Sequence, residues 1–139
     1  MGEVRGVEAI DVMQAMNTGH NGSMTTVHAN SPSDLISRLE TMLIMSGLNL
    51  NPSSARRILA SSLNIIIHLE RLKDGKRIIS KISEVVNKDK TIGENSEIMI
   101  KDIFAYKEIK EETDSSGKLS CFKFSGHTPF FLKEKVVQG

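Results

Sequence analysis

The stretch Ser23-Met24-Thr25-Thr26-Val27-His28-Ala29-Asn30-Ser31-Pro32 joins a strand pattern directly to a helix start. Met24 to Val27 is apolar or β-branched, the composition that suits a buried pleat. The pattern ends on a histidine. Ser31 can then cap a helix, Pro32 suits the first helical position, and Asp34 completes a Ser-x-x-acid box. His28 and Asn30 therefore belong at the carboxyl end of a strand, just before a helix N-terminus. Open α/β sheets bind ligands at that edge, and helix N-termini favour anions there. A phosphate is the ligand to look for.

Composition narrows the classes. A chain of 139 residues has the length of one domain, or of part of a larger one. A net charge of +1 provides no basic field for nucleic acid. Five Phe, one Tyr and no Trp make a poor base-stacking platform. The single cysteine, Cys121, excludes an internal disulfide and a multi-cysteine metal site, and fits a reducing, cytoplasmic home. The longest apolar runs, such as Leu63 to Leu69, are interrupted and far too short for membrane insertion. Met1-Gly2-Glu3-Val4-Arg5 carries an early acid and no apolar stretch, so it does not read as a signal peptide.

Along the chain, Gly2 to Gly6 reads as a loop. Val7 to Asn17 reads as a helix, with Ala9, Ile10, Met13 and Met16 at helical spacing and acids Glu8 and Asp11 early. Thr18-Gly19-His20-Asn21-Gly22 turns the chain. Pro32 to Ser46 is the clearest helix, with Leu35, Leu39, Met42 and Leu43 as its stripe and Ile36 at the border. A further helix starts at Asn51-Pro52 and runs to about Leu63, with Ala55, Ile58, Leu59 and Ser62 inward and Arg56-Arg57 on a solvated face.

The texture changes at Asn64. Ile65 to Leu72 reads as a strand, Asp74-Gly75 as a hairpin turn, and Arg77 to Val86 as the partner. Glu97 to Tyr106 reads as another strand, with a helical turn over Asp102 to Tyr106 as the alternative. Leu119 to Ser125 alternates, and Thr128-Pro129 opens a last helix, Phe130 to Gln138. Phe122, Phe124, Phe130 and Phe131 are expected to make a small core under it. The pattern divides into 1–63, helix–strand–helix–helix, and 64–139, a β-rich meander with a terminal helix. It begins in mid-unit for an α/β layer fold, so a strand is expected ahead of Gly2.

On these residues alone, His28 fits either a ligand-facing strand end or a hydrogen-bonded core histidine. Glu3 fits a solvated carboxylate as well as a catalytic one. His20 with His28 makes no metal site: two nitrogens on unlike elements, with no cysteine nearby. No metal ligand is nominated.

Three stretches then occur in order and close together: Gly2-Glu3-Val4-Arg5-Gly6, Ala15-Met16-Asn17-Thr18-Gly19-His20-Asn21-Gly22, and Thr25-Thr26-Val27-His28-Ala29-Asn30-Ser31. This resembles the ATPases of type II and type IV secretion, and most of all the CpaF-type ATPases of tight-adherence (Flp) pilus assembly. In that family the first stretch is the end of the Walker B motif and the third is the histidine box. Ser37 to Met42 extends the match. The resemblance implies an α/β fold, the carboxyl-terminal part of a RecA-like P-loop ATPase domain, followed by an antiparallel β meander and a terminal helix. It implies a hexamer using ATP and Mg²⁺, working with inner-membrane secretion or pilus platform proteins, cytoplasmic and peripheral to the membrane. It implies that Glu3 activates the attacking water and that His28 senses the γ-phosphate. Arg5 and Asn30 would lie near the nucleotide or a subunit interface, and His20 would support the turn.

The sequence departs from that family at one decisive place. No Gly-x-x-x-x-Gly-Lys-Ser/Thr occurs: Gly75-Lys76 and Gly117-Lys118 both lack the first glycine and the final hydroxyl residue. Two readings follow. One is the carboxyl-terminal portion of a secretion or pilus-assembly ATPase, inactive alone because the phosphate-binding loop is missing, and able to dimerise as a fragment. The other is a non-catalytic module that docks on pilus or secretion platform proteins.

Overall fold

The computed structural model describes residues 2–18, 22–86, 97–109, 119–129 and 132. Its described residues fall into two compact units, Met1–Asn64 with Val85–Ile100, and Ile65–Glu84 with Lys101–Gly139. The predicted His20 turn and the predicted helix Phe130 to Gln138 lie outside the described residues, except for Leu132, which is helical.

The first unit packs three helices: α1 (Ala9–Asn17), α2 (Pro32–Ile44) and α3 (Pro52–Ser62). Local chemistry starts two of them. The Ser31 hydroxyl accepts from the Asp34 N–H at 3.0 Å, and the Asp34 carboxylate accepts from the Asn30 N–H at 2.8 Å. Two N–H groups that the helix itself cannot satisfy are thereby paired. Asn51 does the same for α3, its side-chain oxygen accepting from Ser54 N–H at 2.7 Å. Proline stands at the first position of both helices, where it has no hydrogen bond to lose. Gly47 and Asn49, both at positive φ, turn the chain between α2 and α3.

Met13, Leu39, Leu43 and Leu59 are fully buried, with Ala9 and Ala55 between them. Each large side chain contributes about 1.5–3 kcal/mol of transfer free energy. The small alanines let helix backbones approach. A buried hydroxyl also lies between two helices: Ser62 Oγ shares its one proton between the Ile58 carbonyl of its own helix at 2.7 Å and the Met13 carbonyl of α1 at 3.0 Å. It is satisfied, so its burial carries no orphan cost.

Three expectations need correction here. Met24 to Val27 is extended but is not part of a ladder, and Met24 is 81% exposed rather than buried. Among the described residues one backbone bond, from the Val4 N–H to the Thr26 carbonyl, joins it to Gly2–Arg5, too little pairing for a regular strand. Ile36, set at the border of the α2 stripe, is buried, and Leu35 takes the border instead. Arg56 is not on a solvated face. It pairs with Glu40 across α2 and α3 at 3.0 Å, both side chains largely covered, while Arg57 is exposed.

The second unit is a four-stranded sheet ordered β1 (Ile65–Arg71), β2 (Arg77–Val85), β3 (Ile100–Ile109) and β4 (Leu119–Phe124). The β1/β2 and β3/β4 pairs are antiparallel, with a bulge in the first at His68/Leu69. The turn spans three residues, Lys73 to Gly75. Gly75 N–H donates to Leu72 O at 2.9 Å, and Leu72 N–H to Lys76 O at 2.8 Å. Gly75 takes φ +88, the left-handed position this loop demands. β3 runs on to Ile109, so the helical alternative over Asp102 to Tyr106 is not adopted. The Phe122 and Phe124 rings are not core: both are more than 40% exposed, and they cluster on Phe104 at 5.3 and 5.5 Å. Among the described residues, no helix is long and apolar enough to cross a membrane.

The packing yields a direct test. Leu39→Ala empties a closed site between helices and is expected to lower the unfolding free energy by about 2–5 kcal/mol. Leu48→Ala, at an exposed turn position, is expected to change it by less than about 0.5 kcal/mol. Urea denaturation of the two variants checks both.

Candidate functional site

The site begins with two extended segments laid side by side. Val4 is buried, and its N–H donates to the Thr26 carbonyl at 2.9 Å. The Thr26 hydroxyl donates to the Gly2 carbonyl. In an extended chain, alternate side chains point to opposite sides. With Val4 driven inward, Glu3 and Arg5 are turned outward together. Gly2 to Gly6, which reads as a plain loop in the sequence, is thus held by a buried side chain and a backbone bond.

The second segment delivers His28. Its ring Nε2 lies 2.9 Å from Glu3 Oε1, and Arg5 Nη2 lies 2.7 Å from Glu3 Oε2. His28 and Arg5 are open to solvent, with 84% and 75% of their side chains accessible, while Glu3 retains 26%. Glu3 Oε1 is itself closed off from solvent, and the His28 contact lacks the alignment of a hydrogen bond. One carboxylate oxygen is thus engaged by arginine. The other keeps its accepting capacity and has a histidine beside it.

The electrostatics follow from that geometry. The Arg5 hydrogen bond holds the Glu3 carboxyl below its ordinary value of 4.5, against a partial desolvation that works the other way. The charges of Arg5 and His28 act in the same direction as the hydrogen bond. Arg5 is correspondingly raised by Glu3. At neutral pH the group is a carboxylate, which can accept a proton or orient a water.

A residue that the sequence reading undervalued completes the support. By its position Glu8 suits the dipole of α1. Its carboxylate instead accepts from the backbone N–H groups of Arg5, at 2.7 Å, and Gly6, at 3.1 Å. These bonds lower its pKa, that of Arg5 first. A Cβ on Gly6 would come 3.2 Å from Glu8 Oε2, so glycine leaves room for this return. The signal was present as Arg5-Gly6-x-Glu8, an acid placed to fold back on two free amides.

Asn30 is placed differently. Its backbone N–H is engaged by Asp34 in the cap of α2. The structure brings Glu3, Arg5 and His28 into one cluster and puts Asn30 at the helix start two residues beyond His28. His20 lies outside the described residues. No group of three or more His, Cys, Asp or Glu suited to a metal occurs among the described residues.

Residues 1–113 match the family model described as Type II/IV secretion system protein. The chain belongs to that family. A putative conjugal transfer protein of Mycobacterium tuberculosis strain H37Rv is 36% identical over 60% of this chain and 23% of its own length. An uncharacterized protein of Methanocaldococcus jannaschii is 32% identical over 99% of this chain and 43% of its own length. The crystal structure of the VirB11 ATPase from the Brucella suis type IV secretion system, in complex with sulphate, superposes with a TM-score of 0.54 at 32% identity. It covers 58% of this chain and 25% of that one. The α/β fold of this secretion family member is that of the carboxyl-terminal side of such an ATPase. The chain spans less than half the length of these relatives.

A depressed carboxyl pKa has a checkable consequence. The folded-state pKa of Glu3 lies below its unfolded value, so its contribution to stability is present above the unfolded pKa. It is lost as pH falls through the folded one. NMR titration of the Glu3 side chain is expected to give a midpoint below 4.5, moving back toward that value in Arg5→Ala.

Proposed function

We propose that this chain forms the carboxyl-terminal part of the motor domain of an ATPase that drives secretion or pilus assembly, of the tight-adherence CpaF type. The observation that carries the reading is the Glu3–Arg5–His28 cluster, in a chain of the type II/IV secretion family. Phosphoryl transfer requires a cradle of amides, a lysine, a Mg²⁺ ligand, a water-orienting group and cationic charge at the transition state.

The residues present fit one edge of a Mg-ATP site. Glu3 is an anion held by Arg5 beside His28, suited to orienting the attacking water. His28 is exposed beside it and can meet a terminal phosphate. Arg5 fixes the Glu3 carboxylate, and its exposed guanidinium can also face phosphate or a neighbouring subunit. Asn30 lies close in sequence to His28, at the same helix start. ATP bound there would supply the phosphoryl group. These 139 residues contain no phosphate-binding loop sequence, so the rest of the pocket is assigned to sequence outside them. In this reading the isolated chain does not turn over, and the complete protein works in the cytoplasm as a hexamer against inner-membrane platform proteins.

Two measurements test the reading. In the complete protein, Glu3→Gln is expected to lower the ATPase rate about 10²-fold or more while nucleotide still binds. An unchanged rate would refute the role of Glu3. The isolated 139-residue chain is expected to show no thermal shift with millimolar Mg-ADP, since a ligand stabilises only a state that binds it.

A further inference from the structure

We propose that Glu8 is a positioning residue for ATP hydrolysis, acting on Glu3 through the backbone on either side of Arg5. This role rests on the nucleotide reading above, since it acts through Glu3. A single oxygen does the holding. Glu8 Oε1 accepts from the Arg5 N–H at 2.7 Å and from the Gly6 N–H at 3.1 Å. Two consecutive amides aimed at one point form a concavity that suits an anion, and here the chain fills it from within. Those amides flank the Cα of Arg5, whose side chain reaches Glu3 Oε2 at 2.7 Å. Glu8 thus grips the residue that grips the acid.

Other observations set Glu8 apart from an ordinary acid at a helix start. It stands at the N-cap position of α1, yet its side chain makes no cap hydrogen bond there. It turns back on the preceding residues instead. On the other side of Arg5, the buried Val4 side chain and the bond from Val4 N–H to Thr26 hold the same segment. Arg5 is therefore fixed from both directions, and Glu8 supplies one of them. Gly6 leaves the return open, because a Cβ there would stand 3.2 Å from Glu8 Oε2. The grip needs an oxygen acceptor of the right reach and does not need a charge. Glu8→Gln keeps such an oxygen and discards the charge, which separates positioning from proton chemistry at Glu8 itself.

The test is made in the complete protein, with nucleotide binding and turnover measured separately. Glu8→Ala is expected to lower kcat roughly tenfold or more with KM held within about twofold, the pattern of an interaction felt in the transition state. Glu8→Gln is expected to bring kcat back to within about threefold of the parent. Glu8→Asp keeps the charge but is one methylene shorter. It is expected to behave like Glu8→Ala, and it carries the test if that variant does not fold. A second readout uses the 139-residue chain and NMR. In Glu8→Ala the Glu3 titration midpoint is expected to rise toward 4.5 as the Arg5 contact loosens. Loss of a neighbouring negative charge would by itself move that midpoint down, so the sign of the change tells the two apart. A kcat that falls as far in Glu8→Gln as in Glu8→Ala would make Glu8 a chemical participant and overturn the proposal. An unmoved or lowered Glu3 midpoint would also overturn it. So would parental rates in Glu8→Ala and Glu8→Asp beside an inactive Glu3→Gln. A parental rate in Glu3→Gln is a different failure, which removes the nucleotide reading and this role with it.

Discussion

The burial of Val4 governs the candidate site. Its side chain enters the core of the helical unit, and its N–H takes the Thr26 carbonyl. Because an extended backbone alternates, this one inward residue turns Glu3 and Arg5 outward as a pair. The same backbone bond sets the facing segment in register, and two residues after Thr26 comes His28. A carboxylate, a guanidinium and an imidazole thus meet without any of the three being buried for the sake of stability. An apolar side chain and a peptide bond meet the cost of placing them. Arg5 and His28 remain open to solvent, with Glu3 partly covered between them.

The helices of this unit were legible in the sequence for local reasons. Ser31, Pro32 and Asp34 spell a start, as do Asn51 and Pro52, and the hydrogen bonds form where those residues require them. The stripe of α2 was read to within one residue. What local reasoning missed depends on the tertiary neighbour. Arg56 looks solvated on its own helix, and only the approach of α2 brings Glu40 to it. Met24 to Val27 has strand composition, yet composition cannot supply a partner, and Met24 ends up facing solvent. The motif residues Glu3 and His28 could be nominated from sequence order. That they lie 2.9 Å apart, with Glu8 holding the amides behind them, required the folded backbone.

The sheet unit divides in the same way. The Asp-Gly turn and the period-two pattern made the first hairpin readable, because both are short-range. The aromatic residues of β4 were misplaced because alternation tells which residues share a face but not whether that face is covered. Phe122 stacks on Phe104 and Phe124 meets it at a tilt, at the surface instead. A long-range pair likewise has no local signal in the sequence. His127 Nε2 sits 2.7 Å from the carboxylate of Glu84, which is almost wholly enclosed. A buried acid on a strand gives no sign, in one dimension, of the histidine 43 positions later that meets it.

Glu8 has a mechanical meaning beyond holding a loop. It belongs to the first turn leading into α1, it grips the amides of Arg5 and Gly6, and the Arg5 side chain grips Glu3. The contacts join the start of a helix to an acid through two backbone amides and one ion pair. The placement of the Glu3 carboxylate is therefore tied to where α1 begins.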